Sequence, residues 1–157
     1  MRTFEKNVAG AIILSRDERL LMGKKRPGSN GVYVGYWILP GGVVEEGQTP
    51  LETLSHEIPD ETGLDLSAYG PELVDDEGVD TAELILSTGE KILYQMKFSI
   101  YRFILDKESS GMVVRPGDEL GQIEWVSTAS LANFNLCPPS VVLFHKLGYL
   151  PLGASLD

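Results

Sequence analysis

The chain has 157 residues, enough for one domain over 1–157 with a self-sufficient core, and a second domain is not expected. Its 23 Asp and Glu against 13 Lys and Arg give a formal charge of −10, which excludes a broad nucleic-acid surface built on a basic stripe. A hydrophobic content of 43% excludes a disordered chain, and the single cysteine, Cys137, excludes an internal disulfide and points to a reducing, cytoplasmic setting.

Taken in chain order, the apolar run VAGAIIL at Val8–Leu14 reads as a buried strand. It is too short for a secretion signal and has no small-x-small cleavage pattern after it. No apolar run approaches the roughly 18 residues that a membrane span requires, so no membrane partner is expected. SRDER turns the chain, and LLMGKKR returns as a hairpin partner. The glycine-rich PGSNGVYVGY is a loop that either shapes a ligand mouth or simply connects. WILP then leads into Gly41 and Gly42. From Thr49 to about Thr62 the pattern is helical, with Thr49 as N-cap, Pro50 in the first position, Glu52 completing a capping box and Gly63 as the stop. Further on, AELILSTGEKILYQMKFSIYRFIL reads as two β segments around Thr88-Gly89, the second at the centre of the sheet. Its Tyr94, Met96, Phe98 and Ile100 alternate onto one face. IEWVS is a short strand, TASLANF a short helix, and PPSVVLFHKLGYL a helix that opens on Pro138-Pro139 and stops at Gly148. These elements make an α/β protein with a mixed sheet flanked by helices.

The helix over 49–62 carries the chemistry. At about 100° per residue, Glu57 and Glu61 lie one turn apart on one stripe with Asp60 beside them, while Leu51, Leu54 and Ile58 form the neighbouring apolar stripe. Acids this close repel, which fits either a solvated acidic face or a bound cation. Hard divalent cations choose such oxygens, and magnesium is usually held by one or two carboxylates plus substrate phosphates. Pro59 sits among these acids and removes the amide that would bond the Ser55 carbonyl, so a local kink is expected there, more simply a tolerated defect near the helix end than an aiming device.

The stretch GGVVEEGQTPLETLSHEIPDETGL resembles the Nudix box, which runs glycine, five residues, glutamate, seven residues, then Arg-Glu-aliphatic-x-Glu-Glu-x-Gly-aliphatic. Counted from Gly42, the residues Glu57, Ile58, Glu61, Gly63 and Leu64 match, and WILPGG and VEEG are the usual approach to it. Three positions depart: Gln48 replaces the first glutamate, His56 the arginine and Asp60 a glutamate. Gln48 offers only a neutral carbonyl oxygen, and His56 lacks arginine's fixed charge and bidentate fork. These changes put full activity in question and leave open reduced, pH-dependent or shifted turnover.

The resemblance implies an α/β/α Nudix-type sandwich that hydrolyses a pyrophosphate bond in a nucleoside di- or triphosphate, or a nucleoside diphosphate derivative, with Mg2+ or Mn2+. It implies Glu57 and Glu61 as principal metal ligands, Asp60 as an auxiliary one, and the Gly41 carbonyl as a further donor. Glu119, in DELGQIEW, is a candidate ligand or general base, or else a loop surface charge. Arg26 is a candidate for phosphate, and Trp37 or Tyr33 for stacking on a base, although aromatic residues before a proline turn are as often core. The expected partner is a small nucleotide substrate, with a homodimer left open. The alternative is a catalytically weakened Nudix fold that binds a nucleotide or regulates a partner. An acidic adaptor using the box as scaffold is a third reading.

Overall fold

The computed structural model describes residues 1–29 and 31–151. Asn30 of the predicted loop lies outside them. The strands are β1 (Arg2–Leu14), β2 (Arg19–Lys25), β3 (Trp37–Ile38), β4 (Gly41–Val43), β5 (Glu72–Asp75), β6 (Val79–Ile85), β7 (Lys91–Ile104) and β8 (Leu120–Ser127). Helix α1 spans Pro50–Thr62 and α2 spans Pro138–Leu147.

The spine is a parallel pair. β1 and β7 run side by side in unbroken register from Arg2 opposite Ile92 to Leu14 opposite Ile104. The other pairings between these strands are antiparallel, and Trp37 of β3 also meets Leu136 in an isolated parallel bridge. On the far edge of β7, β6 pairs with Lys91–Lys97 and β5 with Ile100–Arg102, so β7 is the central strand that its alternating pattern predicted. The expected hairpin of the first two strands is reduced to one registered pair, Leu14 opposite Leu20. β2 turns instead to β8, with which it shares seven pairs from Arg19–Ser127 to Lys25–Leu120.

Alternation along β1 builds two cores. Ala9, Ala11 and Ile13 face α1 and pack with its Leu54 and Ile58, together with Leu21, Phe103 and Leu105. Ile12 faces the other way, against Leu143 and Phe144 of α2 with Leu20, Met22, Ile100 and Val126. Helices therefore cover both faces of the sheet, which is the α/β/α sandwich expected. Leu51 is a correction, since it remains 38% exposed in the first turn while Thr53 and Thr62 take the buried places beside Leu54 and Ile58. The predicted helix at TASLANF is a tighter 3-10 turn over Thr128–Asn133. Among the described residues, no helix is long and apolar enough to cross a membrane.

Local signals fix α1. Thr49 Oγ1 accepts from the Glu52 amide at 3.2 Å, and Glu52 Oε1 accepts from the Thr49 amide at 3.1 Å, closing the capping box. At the other end Gly63, at φ 78°, donates its amide to the Pro59 carbonyl at 2.9 Å. The helix runs through Pro59 without ending there. Since Pro59 is exposed, Pro59→Lys should restore one helix amide and raise the melting temperature by a few degrees, with activity unchanged. A thermal melt of both proteins, with rates at one pH, checks this.

Candidate active site

A cavity of about 480 Å³ opens beside the N-terminal side of β4 and reaches along the face of β7. Glu57, Glu61, Glu119, Glu45 and Lys25 line one part of it, and Tyr33, Tyr94, Met96, Phe98 and Ile100 line another. The four β7 residues that alternation put on one face all point into this space.

Gly41 sets the carboxylate end. Its amide donates to Glu61 Oε2 at 3.0 Å, tying β4 to the last turn of α1. Its φ of 155° and its closeness to β1 both require glycine, because a Cβ there would stand 2.0 Å from the Ala9 carbonyl oxygen. Gly42 is nearly as confined, since a Cβ would lie 3.0 Å from Glu57 Cδ.

Glu119 arrives from a loop pinned at two places. Gly117 donates its amide to the Glu61 carbonyl at 3.1 Å and presses on α1 so closely that a Cβ would fall 2.2 Å from the Asp60 carbonyl oxygen. Arg26 grips the same loop: its Nε donates to the Asp118 carbonyl at 2.8 Å, its Nη2 to the Gly117 carbonyl at 3.3 Å, and its amide to the Glu119 carbonyl at 3.2 Å. Lys25, one residue earlier, points the other way and lines the cavity. Its Nζ donates to the Val32 carbonyl at 2.7 Å.

The electrostatics are those of crowded acids with one cation. Glu61 is 7% exposed, and burial first, then Glu57 and Glu119, push its carboxyl up to about 8, against the pull of the Gly41 amide and Lys25. Glu57 is raised by burial, then by Glu119 and Asp60. Lys25 is lowered by its own burial, with Glu119 and Glu61 opposing that. Because the folded Glu61 holds its proton above the unfolded value near 4.5, the metal-free protein should be most stable below about pH 4.5 with respect to this group. Stability should fall as pH rises toward 8, by an amount on the order of 5 kcal/mol at most. Melts of chelator-treated protein across that range should show the decline, and Glu61→Gln should remove it.

Several sequence candidates therefore meet and others do not. Gly41, Glu57, Glu61 and Glu119 share the cavity wall, whereas Asp60 is exposed and outside it. Among the described residues, no three His, Cys, Asp or Glu side chains stand close enough to hold a metal ion as they are. Arg26 spends its guanidinium on loop carbonyls. Trp37 packs edge-on to Phe134 at 5.3 Å beside the α2-side core, and of the two aromatic candidates only Tyr33 lines the cavity. Gln48 accepts from Thr53 Oγ1 at 3.0 Å, a helix-start contact. Cys137 lines the cavity with its Sγ 3.2 Å from Ser140 Oγ. Sequence reasoning missed Lys25, although strand alternation between Lys25 and Arg26 already says that only one of them can face a given side.

The chain resembles known proteins in both sequence and fold. The NUDIX domain matches residues 5–147. The nucleoside triphosphatase NudI of Enterobacter sp. (strain 638) is 31% identical over 128 residues, covering 80% of this chain and 86% of that protein. The MutT protein of Methanosarcina mazei Go1 superposes with a TM-score of 0.66 at 20% identity, over 94% of this chain and 96% of its own. The NUDIX domain of Shewanella oneidensis NrtR, solved with ADP ribose, gives 0.67 at 13% identity over 92% and 87%. The chain belongs to the Nudix family. As a member it is a pyrophosphohydrolase, an enzyme that hydrolyses pyrophosphate bonds.

Proposed function

We propose that this chain hydrolyses the pyrophosphate bond of a nucleoside triphosphate, or of a nucleoside diphosphate derivative, with Mg2+ or Mn2+. The observation that carries the reading is the set of three carboxylates, Glu57, Glu61 and Glu119, crowded into one cavity against the single ammonium of Lys25. The three carboxylates are hard oxygen donors, and burial first, then the neighbouring acids, pushes Glu57 and Glu61 up, a cost that a bound cation would offset. Glu57, Glu61, Glu119 and the Gly41 carbonyl would hold it, with Asp60 reaching it through water. When bound, such an ion neutralises diphosphate oxygens and lowers the pKa of water.

The chain's own groups do the rest. Glu61, fixed by the Gly41 amide, anchors the acidic end. Glu57 and Glu119 are the more accessible carboxylates for taking a proton from the attacking water. Lys25 offers positive charge to a phosphate chain, and Tyr33, Tyr94 and Phe98 give the apolar wall that a base requires. The name of the Enterobacter relative supports triphosphates.

The test is incubation with a nucleotide library and Mg2+ or Mn2+, followed by phosphate detection after phosphatase treatment. Turnover should require the cation and stop with chelator; chelator-resistant turnover would sink the mechanism. Gln48 and His56, standing where the box has glutamate and arginine, favour a second reading, a weakened fold that binds nucleotide without cleaving it. Nucleotide-dependent heat stability with no phosphate release would select that one.

A further inference from the structure

Asp75 lines the cavity far from α1, and nothing in the proposed hydrolysis uses it. A β-bulge brings it there. Leu73 opposes Tyr101 and Asp75 opposes Ile100, which leaves Val74 as the extra residue. Opposed residues share a face, so the bulge turns Asp75 toward the side on which Ile100 meets the cavity. The same row continues across the sheet, because Ile100 opposes Gly10 and Gly10 opposes Gly41, whose amide holds Glu61. Three strand spacings, roughly 14 Å, separate the Asp75 and Gly41 backbones. That is close to the reach of a nucleotide from its phosphate chain to the far edge of its base.

The carboxylate is firmly set. Its side chain is 7% exposed, Lys146 Nζ of α2 donates to Oδ1 at 2.5 Å, and the Gly78 amide donates to Oδ2 at 3.2 Å. A carboxylate has about four lone-pair sites, so each oxygen keeps capacity for a further donor. Gly78, Phe98 and Ile100, which stand around it on the cavity wall, carry no hydrogen-bonding side chain.

We infer that Asp75 reads the base of the substrate and selects one with two adjacent N–H donors on its pairing edge, as guanine has. This rests on the proposed nucleotide hydrolysis. Guanine presents its ring N1–H beside its amino group, a pair that matches the two carboxylate oxygens. Adenine and cytosine place an amino group beside a ring nitrogen whose lone pair would face the carboxylate. Uracil and thymine set one N–H between two carbonyls. A buried acceptor facing another acceptor is left unsatisfied, which a site built for donors rejects strongly.

The experiment measures kcat and KM for GTP, ITP, ATP, CTP and UTP with Mg2+ or Mn2+, on the parent, Asp75→Asn and Lys146→Met. Melting-temperature shifts with GDP, IDP and ADP read binding separately. The parent should favour GTP over ATP by about tenfold or more in kcat/KM, with ITP, which lacks the amino group, in between. Asp75→Asn should erase that preference mainly by raising KM for GTP, while ATP turnover persists. Lys146→Met, which removes only the ion pair, should keep the preference. Equal loss on all five nucleotides in Asp75→Asn would show a merely structural role and overturn the inference, as would a parent with no base preference. If no nucleotide is hydrolysed but GDP still shifts melting more than ADP, base reading stands and triphosphate hydrolysis falls. If no nucleotide shifts melting, both fall.

Discussion

Glu57→Gln should lower turnover by about a thousandfold or more while moving the melting temperature by no more than a degree or two. The carboxylate stands on the cavity wall, and a Cβ on Gly42 would touch it, so its place is set by backbone on one side and helix on the other. Glutamine keeps the shape and the contact with Gly42. It loses the charge that a divalent cation requires. Folding should scarcely notice, because Glu57 is held by burial among Glu119, Asp60 and Glu45, all of which oppose its ionisation. Removing the charge relieves that repulsion and offsets any small loss of packing. Rates with saturating Mg2+ and a thermal melt decide the matter, and a variant as active as the parent would move the chemistry elsewhere.

Gly41→Ala should do the reverse, damaging fold and activity together. The added methyl would lie 2.0 Å from the Ala9 carbonyl oxygen, a backbone atom that cannot rotate away. β4 must then part from β1 at the pairs Ala9–Gly42 and Gly10–Gly41. The cost should be about 3 kcal/mol, a fall of roughly 10 °C in melting temperature for a chain of this size. The same shift withdraws the amide that holds Glu61. Gly70→Ala is the matched control, since a Cβ there meets no atom within 4 Å. Unchanged melting in Gly41→Ala would mean that β4 does not press on β1 as described.

Signals confined to a few neighbouring residues were the legible part of the sequence. Thr49, Pro50, Glu52 and Gly63 announced α1 because caps act within one turn, and alternation announced the cavity face of β7 because side chains on a strand have period two. What depended on distant pairing was not legible. The short strands β3, β4 and β5 owe their existence to partners in β2, β1 and β7, and their own residues carry no strand pattern. Arg26 and Lys25 show the same limit at the site. Composition favours arginine as the phosphate ligand, but the loop at Gly117–Glu119 captures Arg26 and leaves Lys25 facing the carboxylates. Trp37 likewise meets Phe134, which follows the 3-10 turn over Thr128–Asn133, a contact between residues far apart in the chain.

The parallel spine has a consequence for how the chain comes to be folded. Every β1–β7 pair joins residues offset by 90 positions, from Arg2–Ile92 to Leu14–Ile104. During synthesis the apolar segment Ala9–Leu14 is therefore exported long before the strand that covers one of its edges exists. At a usual ribosomal pace of about 5–20 residues per second, that wait lasts several seconds or more. Contacts so remote in sequence must repay a large loop-closure entropy, so refolding should be slow for a protein of this length and sensitive to concentration. Until β7 emerges, the apolar run over 9–14 stays without the partner that covers that edge in the finished fold.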